Sequence, residues 1–163
     1  AGLDADSLGA AVAGVDLVLD CSDNFGTREA VNAACVAAKV PLVSGAAIRL
    51  EGQLAVFDPR QADSPCYHCL YGHGSEAELT CSEAGVLGAV TGVMGTLQAT
   101  EVLKEILGIG ESMAGRVLIW DALSARFRTI KLRPDPACIA GGPNATLRDL
   151  SAHGDVSGPA CAV

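Results

Sequence analysis

Aromatic side chains are scarce in this sequence, at 4% of 163 residues, and only one of them is Trp. Its core must therefore be built mainly of Val, Leu, Ile and Ala, and a hydrophobic share of 50% allows a sizeable one. No basic run is present and the formal charge is −8. A phosphate backbone calls for a clustered basic footprint, so nucleic acid is not an expected partner. Nor is a membrane: the most apolar stretch, Gly85 to Ala99, is rich in Gly and too short to span a bilayer, and Glu101 and Lys104 follow it. No secretory signal is visible. Seven cysteines cannot pair off into a complete disulfide framework. In a chain that reads as a cytoplasmic enzyme, metal ligation or thiol chemistry is the expectation instead. Neither a phosphate-cradling Gly-rich loop nor a Ser/His/Asp order can be assembled from the residues present.

What is present reads as one α/β domain over residues 1–142, with a disordered tail at 143–163 rich in Ser, Gly, Ala and Asp. Asp4 to Ala13 looks helical and Val15 to Asp20 looks like a buried strand. Thr27 is the expected N-cap of a helix over Arg28 to Ala38, which Pro41 stops. Leu42 to Ala47 is the next strand, so this stretch forms a βαβ unit with a parallel pair and a right-handed crossover. Leu50 to Phe57 alternates and follows almost at once, as an antiparallel continuation would. Asp58 to Ala84 is a long polar loop of the kind that carries function or moves. Val86 to Leu107 is apolar nearly all round and closed by Gly108, which predicts a central buried helix or part of a subunit interface. Arg116 to Asp121 and Arg126 to Lys131 complete the pattern as two strands. The stretch before Asp16 is too short for a preceding nucleotide-binding unit. The expected fold is the C-terminal half of a Rossmann-like domain, with a mixed sheet and a long buried helix.

Three groups of residues carry chemistry. Asp20, Asp23, Asn24 and Arg28 lie where a strand runs through a polar turn into a helix, the ligand-binding turn of an open α/β sheet. Two carboxylates there can hold a hydrated Mg²⁺, and Arg28 can face a phosphate or carboxylate. The same residues also read as a helix cap with a surface ion pair. Cys66 and Cys69 have the C-x-x-C spacing of a zinc knuckle, and Cys138 is a third thiolate. Gly141 stands where the fourth is expected; His68, His73 and Cys161 are alternatives, and a redox dithiol is the competing reading. Cys81, between the polar loop and the apolar helix, has the place of a nucleophilic thiol, though it also reads as a small apolar residue entering a core. Cys21 and Cys35 read as packing residues.

Together D-L-V-L-D-C-S-D-N-F-G-T-R, V-S-G-A-A-I-R-L-E-G-Q, C-Y-H-C-L and C-S-E-A-G-V-L-G-A-V-T-G-V-M-G-T-L-Q-A-T-E-V-L-K span Asp16 to Lys104. This text resembles the ubiquitin-activating-enzyme-like adenylyltransferases of molybdopterin-synthase and thiamine sulfur-carrier activation. The resemblance implies a homodimer that adenylates the C-terminal glycine of a ubiquitin-like sulfur-carrier protein with ATP and Mg²⁺. It implies that Asp23, with Asn24 and Arg28, lies by the nucleotide and metal. Cys81 is then the loop cysteine of a covalent transfer step, and Cys66, Cys69 and Cys138 are three of four Zn²⁺ thiolates. The family's Gly-rich loop and upstream nucleotide-binding residues have no counterpart here, so this chain alone is expected to be inactive. The alternatives are a non-catalytic dimerisation and carrier-docking module and, more remotely, a thiol redox protein using Cys66 and Cys69.

Overall fold

The computed structural model describes residues 5–72, 84–142 and 145–146. Helix α1 (Ala5–Ala13) precedes strand β1 (Val18–Asp20) and helix α2 (Phe25–Ala38). Strands β2 (Leu42–Ile48) and β3 (Glu51–Phe57) follow, then helices α3 (Tyr67–Tyr71) and α4 (Gly88–Leu107), and strands β4 (Arg116–Asp121) and β5 (Arg126–Lys131). The sheet runs β1-β2-β3-β4-β5, with β1 and β2 parallel and every later pair antiparallel. The mixed sheet expected from the sequence is therefore present. Most of the 143–163 segment, including the expected tail, lies outside the described residues.

Both faces of the central strands are covered, whereas β5 is exposed along its length. Successive residues of a strand point to opposite faces, so Leu42, Ala55, Phe57 and Val117 meet Ala34, Cys35 and Tyr67 on one side. Val43, Leu54 and Val56 meet Val90 and Met94 on the other. Phe57 and Tyr67 also pack edge to face, with ring centroids 6.1 Å apart. Phe25, Phe57, Tyr67 and Tyr71 thus reinforce one aliphatic core layer, while Trp120 packs on the other.

Local signals explain most boundaries, and the departures from expectation have physical reasons. β1 begins at Val18 rather than Val15, because only Val18 to Asp20 pair with β2. Helix α2 starts earlier than Arg28 because Asn24, not Thr27, is its N-cap: the extended Asn24 backbone lets Oδ1 accept the Thr27 amide at 2.8 Å. Asn is at least as good a cap as Thr and came first in the chain. Within the polar segment, Tyr67–Tyr71 forms a short helix, because burial of Tyr67 against the core overrides the loop signals around it. The two-residue link from β2 to β3 holds Arg49 at φ 52. A bridge secures this left-handed residue: Arg49 donates its amide to Gly85 O and its carbonyl accepts from Leu87 N, at 2.8 and 3.0 Å.

Helix α4 is also more one-sided than its apolar sequence suggested. It buries the stripe Val90, Met94, Gln98 and Glu101 against β2 and β3. Leu103, Ile106 and Leu107 remain more than half exposed. A central position with burial on all sides is not what the single chain forms. Among the described residues no helix is long and apolar enough to cross a membrane.

Candidate functional site

β1 ends beside the middle of β2, with Asp20 in register with Ser44 and β2 running on to Ile48. The turn after β1 is fixed by a polar cluster. Asp20 is buried; its Oδ1 accepts from Ser22 N at 2.9 Å and Ser22 Oγ at 2.6 Å, and its Oδ2 accepts from Ser44 Oγ at 3.3 Å. Arg28 reaches back from the first turns of α2 to place Nη1 3.8 Å from Asp20 Oδ2. Its Nη2 donates to the carbonyls of Ser22 and, at 3.2 Å, Gly45. A buried guanidinium with these partners fixes the turn's shape.

Gln98 closes the arrangement from the opposite side of the sheet, and the sequence reading missed it. From α4 its Nε2 donates to Asp20 O at 3.0 Å and Val43 O at 2.8 Å. Its Oε1 accepts from the Cys21 thiol at 3.1 Å. Gly45 makes room: a Cβ there would stand 2.7 Å from Gln98 Oε1. A lone amide on the buried stripe of an apolar helix was the available signal, since such a group requires partners. Cys21 itself is exposed and is not the packing residue expected. Cys35 is: burial, followed by the charge of Asp20, pushes its thiol up to about 12.

Of the two carboxylates, Asp23 is the exposed one. It lines two adjoining cavities of about 130 and 380 Å³, which share Arg28, Ala46 and Ala47 as wall residues. Asn24 stands next to Asp23 with its side chain engaged in capping α2. The structure thus brings Asp23 and Arg28 to one crevice past the end of β1, while Asn24 is not among its lining residues. Cys81 lies outside the described residues.

Cys66, Cys69 and Cys138 converge although Cys138 comes from the far end of the fold, and their sulfurs all lie within 4.8 Å of one another. Cys66 Sγ is 3.7 Å from Cys69 Sγ and 3.6 Å from Cys138 Sγ. Zinc–sulfur bonds of about 2.3 Å in a tetrahedron place sulfurs about 3.8 Å apart, so the cluster has the size that Zn²⁺ requires. The amides of Asp135 and Gly141 donate to Cys69 Sγ at 3.5 Å and Cys138 Sγ at 3.4 Å, the kind of bond that supports a thiolate. Burial pushes the Cys66 thiol up. Burial acts on Cys138 too, but the amides of Gly141 and Ala140 outweigh it and hold that thiol below its usual value. The cluster can hold a metal ion. His68 is turned away from it, with Nδ1 3.1 Å from Glu29 Oε2.

The ThiF family matches residues 2–140. The molybdopterin-synthase adenylyltransferase of Escherichia coli (strain K12) is 49% identical over 136 residues, covering 83% of this chain and 54% of that protein. The adenylyltransferase and sulfurtransferase MOCS3 of Bos taurus is 51% identical over 138 residues, covering 83% of this chain and 30% of that protein. The chain thus spans about half the length of the bacterial relative. Among solved structures, E. coli MccB superposes with a TM-score of 0.67 at 16% identity, covering 83% of this chain and 42% of that one. That likeness is one of fold. Sequence, topology and the β1–α2 turn agree, and the chain belongs to the ThiF family.

Proposed function

We propose that this chain is the C-terminal portion of an ATP-dependent adenylyltransferase that activates the C-terminal glycine of a ubiquitin-like sulfur-carrier protein. The observation that carries the proposal is the division of labour between two carboxylates. Asp20 is buried and spent on Ser22, Ser44 and Arg28, whereas Asp23 is exposed on the crevice wall. The two most informative relatives are both named adenylyltransferases, and one solved structure of MccB is described with ATP.

Bound MgATP would supply an electrophilic α-phosphorus, which the carrier's terminal carboxylate attacks with loss of pyrophosphate. The residues of this chain position that chemistry. Asp23 offers a carboxylate to the waters of a hydrated Mg²⁺. Arg28 and Gln98 hold the turn that presents it, and Arg28 adds positive charge to the crevice wall. Asn24 sets the start of α2 and so the direction of its first amides. In this reading Cys66, Cys69 and Cys138 hold a Zn²⁺ that ties α3 to the C-terminal turn. Cys81 is the thiol of a later transfer step, which adenylation does not need.

β1 has one edge unpaired among the described residues, and Leu19 on it is about half exposed. We place the remaining, nucleotide-loop part of the sheet there. The open apolar side of α4 is assigned to contact with a second copy, as in a cytoplasmic homodimer. The decisive experiment joins this chain to the N-terminal portion of the Escherichia coli relative and measures carrier-dependent ATP–pyrophosphate exchange. Exchange is expected, and Asp23→Ala should reduce it about a hundredfold or more, the scale of losing a positioned charge in such a site. Undiminished exchange in Asp23→Ala would remove Asp23 from the site. Carrier binding without any exchange would favour a docking module instead.

A further inference from the structure

The metal cluster has a space beside it as well as three sulfurs. Gly141 lies against Cys66: a Cβ at Gly141 would stand 3.0 Å from Cys66 Sγ and 3.9 Å from Val36 Cγ2. Having no side chain, Gly141 instead forms part of the lining of a cavity of about 230 Å³, together with Asn32, Cys35, Val36 and Cys66. That volume far exceeds the roughly 10–15 Å³ needed to seat one water.

No other described side chain joins the cluster as a ligand. His68 is engaged by Glu29, and Asp135 Oδ1 accepts the Ala137 amide at 2.9 Å.

We infer that the Cys66–Cys69–Cys138 site holds its metal with an exchangeable fourth position, opening on the cavity beside Gly141, filled by solvent and replaceable by a small thiolate. This rests on the reading of the cluster as a zinc site. Three protein ligands plus an exchangeable water is the arrangement of an open zinc site, while four thiolates make a closed structural one. A soft divalent ion with sulfur ligands favours a further sulfur donor. When such a thiol binds, its proton passes to solvent, water leaves the metal and one metal–sulfur bond forms, with no change in oxidation state.

The test loads the full chain with Co²⁺ without oxygen and titrates it with 2-mercaptoethanol, following sulfur-to-cobalt charge-transfer absorbance and retained metal. Expected is a saturable rise of about one third, as three Co–S bonds become four. Gly141→Cys should show the higher intensity from the start and give no further rise. Retained cobalt with no response in the unmodified chain overturns the open position while leaving the metal site intact. A four-sulfur spectrum before titration that drops in Cys81→Ser or Cys161→Ser also overturns it, because the chain's own thiol would then close the site. Failure to bind Co²⁺ at all overturns the metal reading together with the inference.

Discussion

Arg28 Nη1 lies 3.8 Å from Asp20 Oδ2 in a buried pair, three residues before an Asp23 that is open to the crevice. The two carboxylates should therefore fail differently when removed. Deleting Asp20 strands a buried guanidinium, and breaking such a pair typically costs about 3–5 kcal/mol. Asp23→Ala should change stability by less than about 0.5 kcal/mol, as surface substitutions do. Urea unfolding of the two variants measures this directly. Equal losses would place both carboxylates in the structural role.

Substitution of Gly52 should be penalised by packing. This glycine is paired across the sheet with Trp120, and a Cβ on it would fall 2.3 Å from Met94 Sδ. Met94 is 3% exposed on the buried stripe of α4, so it has little room to retreat. Gly52→Ala should cost about 1–3 kcal/mol by overpacking. Combined with Met94→Ala, it should cost clearly less than the sum of the two single changes, because the clash is shared. An additive double mutant in thermal or urea unfolding would mean the strain lies in the strand backbone.

Acid should loosen the turn after β3. Asp58 is buried, which alone would raise its pKa, but hydrogen bonds from Arg60 and Gln61 and the Arg60 charge outweigh burial and lower it. A depressed native pKa contributes stability that is fully present above the unfolded value of about 3.9 and is lost as pH falls through the native one. Stability measured between neutral pH and pH 2 should thus fall more steeply at the acid end than in Asp58→Asn. Parallel pH profiles of the two proteins would assign the acid loss to other carboxylates.

The elements legible in the sequence were those whose signals are local. Pro41 and Gly108 marked helix ends, the L-V-S-G-A-A run marked a buried strand, V-D-L-V-L-D marked β1 though Leu19 on it is half exposed, and C-x-x-C marked the cysteine cluster. Tertiary partners were not legible. Arg28 reads as facing an anionic ligand or joining a surface ion pair, yet contact with Asp20, Ser22 and Gly45 turns its guanidinium inward. Gln98 is one polar residue among apolar ones, and only the fold brings it to Asp20 and Val43, far away along the chain. The apolar surround of α4 gave no preferred face, because the sequence contains no record of which neighbour covers which side.

Metal occupancy should show itself in stability before any activity is measured. A cation held by Cys66, Cys69 and Cys138 joins α3 to a turn 69 residues beyond Cys69, a geometry that only the folded chain supplies. Ligation of that kind adds stability as RT ln(1 + [L]/Kd), about 2.7 kcal/mol at a hundredfold excess over Kd. Zinc should raise the urea midpoint, a strong chelator should reverse the shift, and Cys138→Ser should abolish both effects. Gly141→Cys should tighten zinc at least about tenfold in a chelator competition, since a fourth thiolate closes the tetrahedron. The new Cβ must fit 3.0 Å from Cys66 Sγ, so a few tenths of an ångström of movement is required of that side chain. Zinc affinity unchanged by Gly141→Cys, with the fold intact, would show that position 141 does not face the metal.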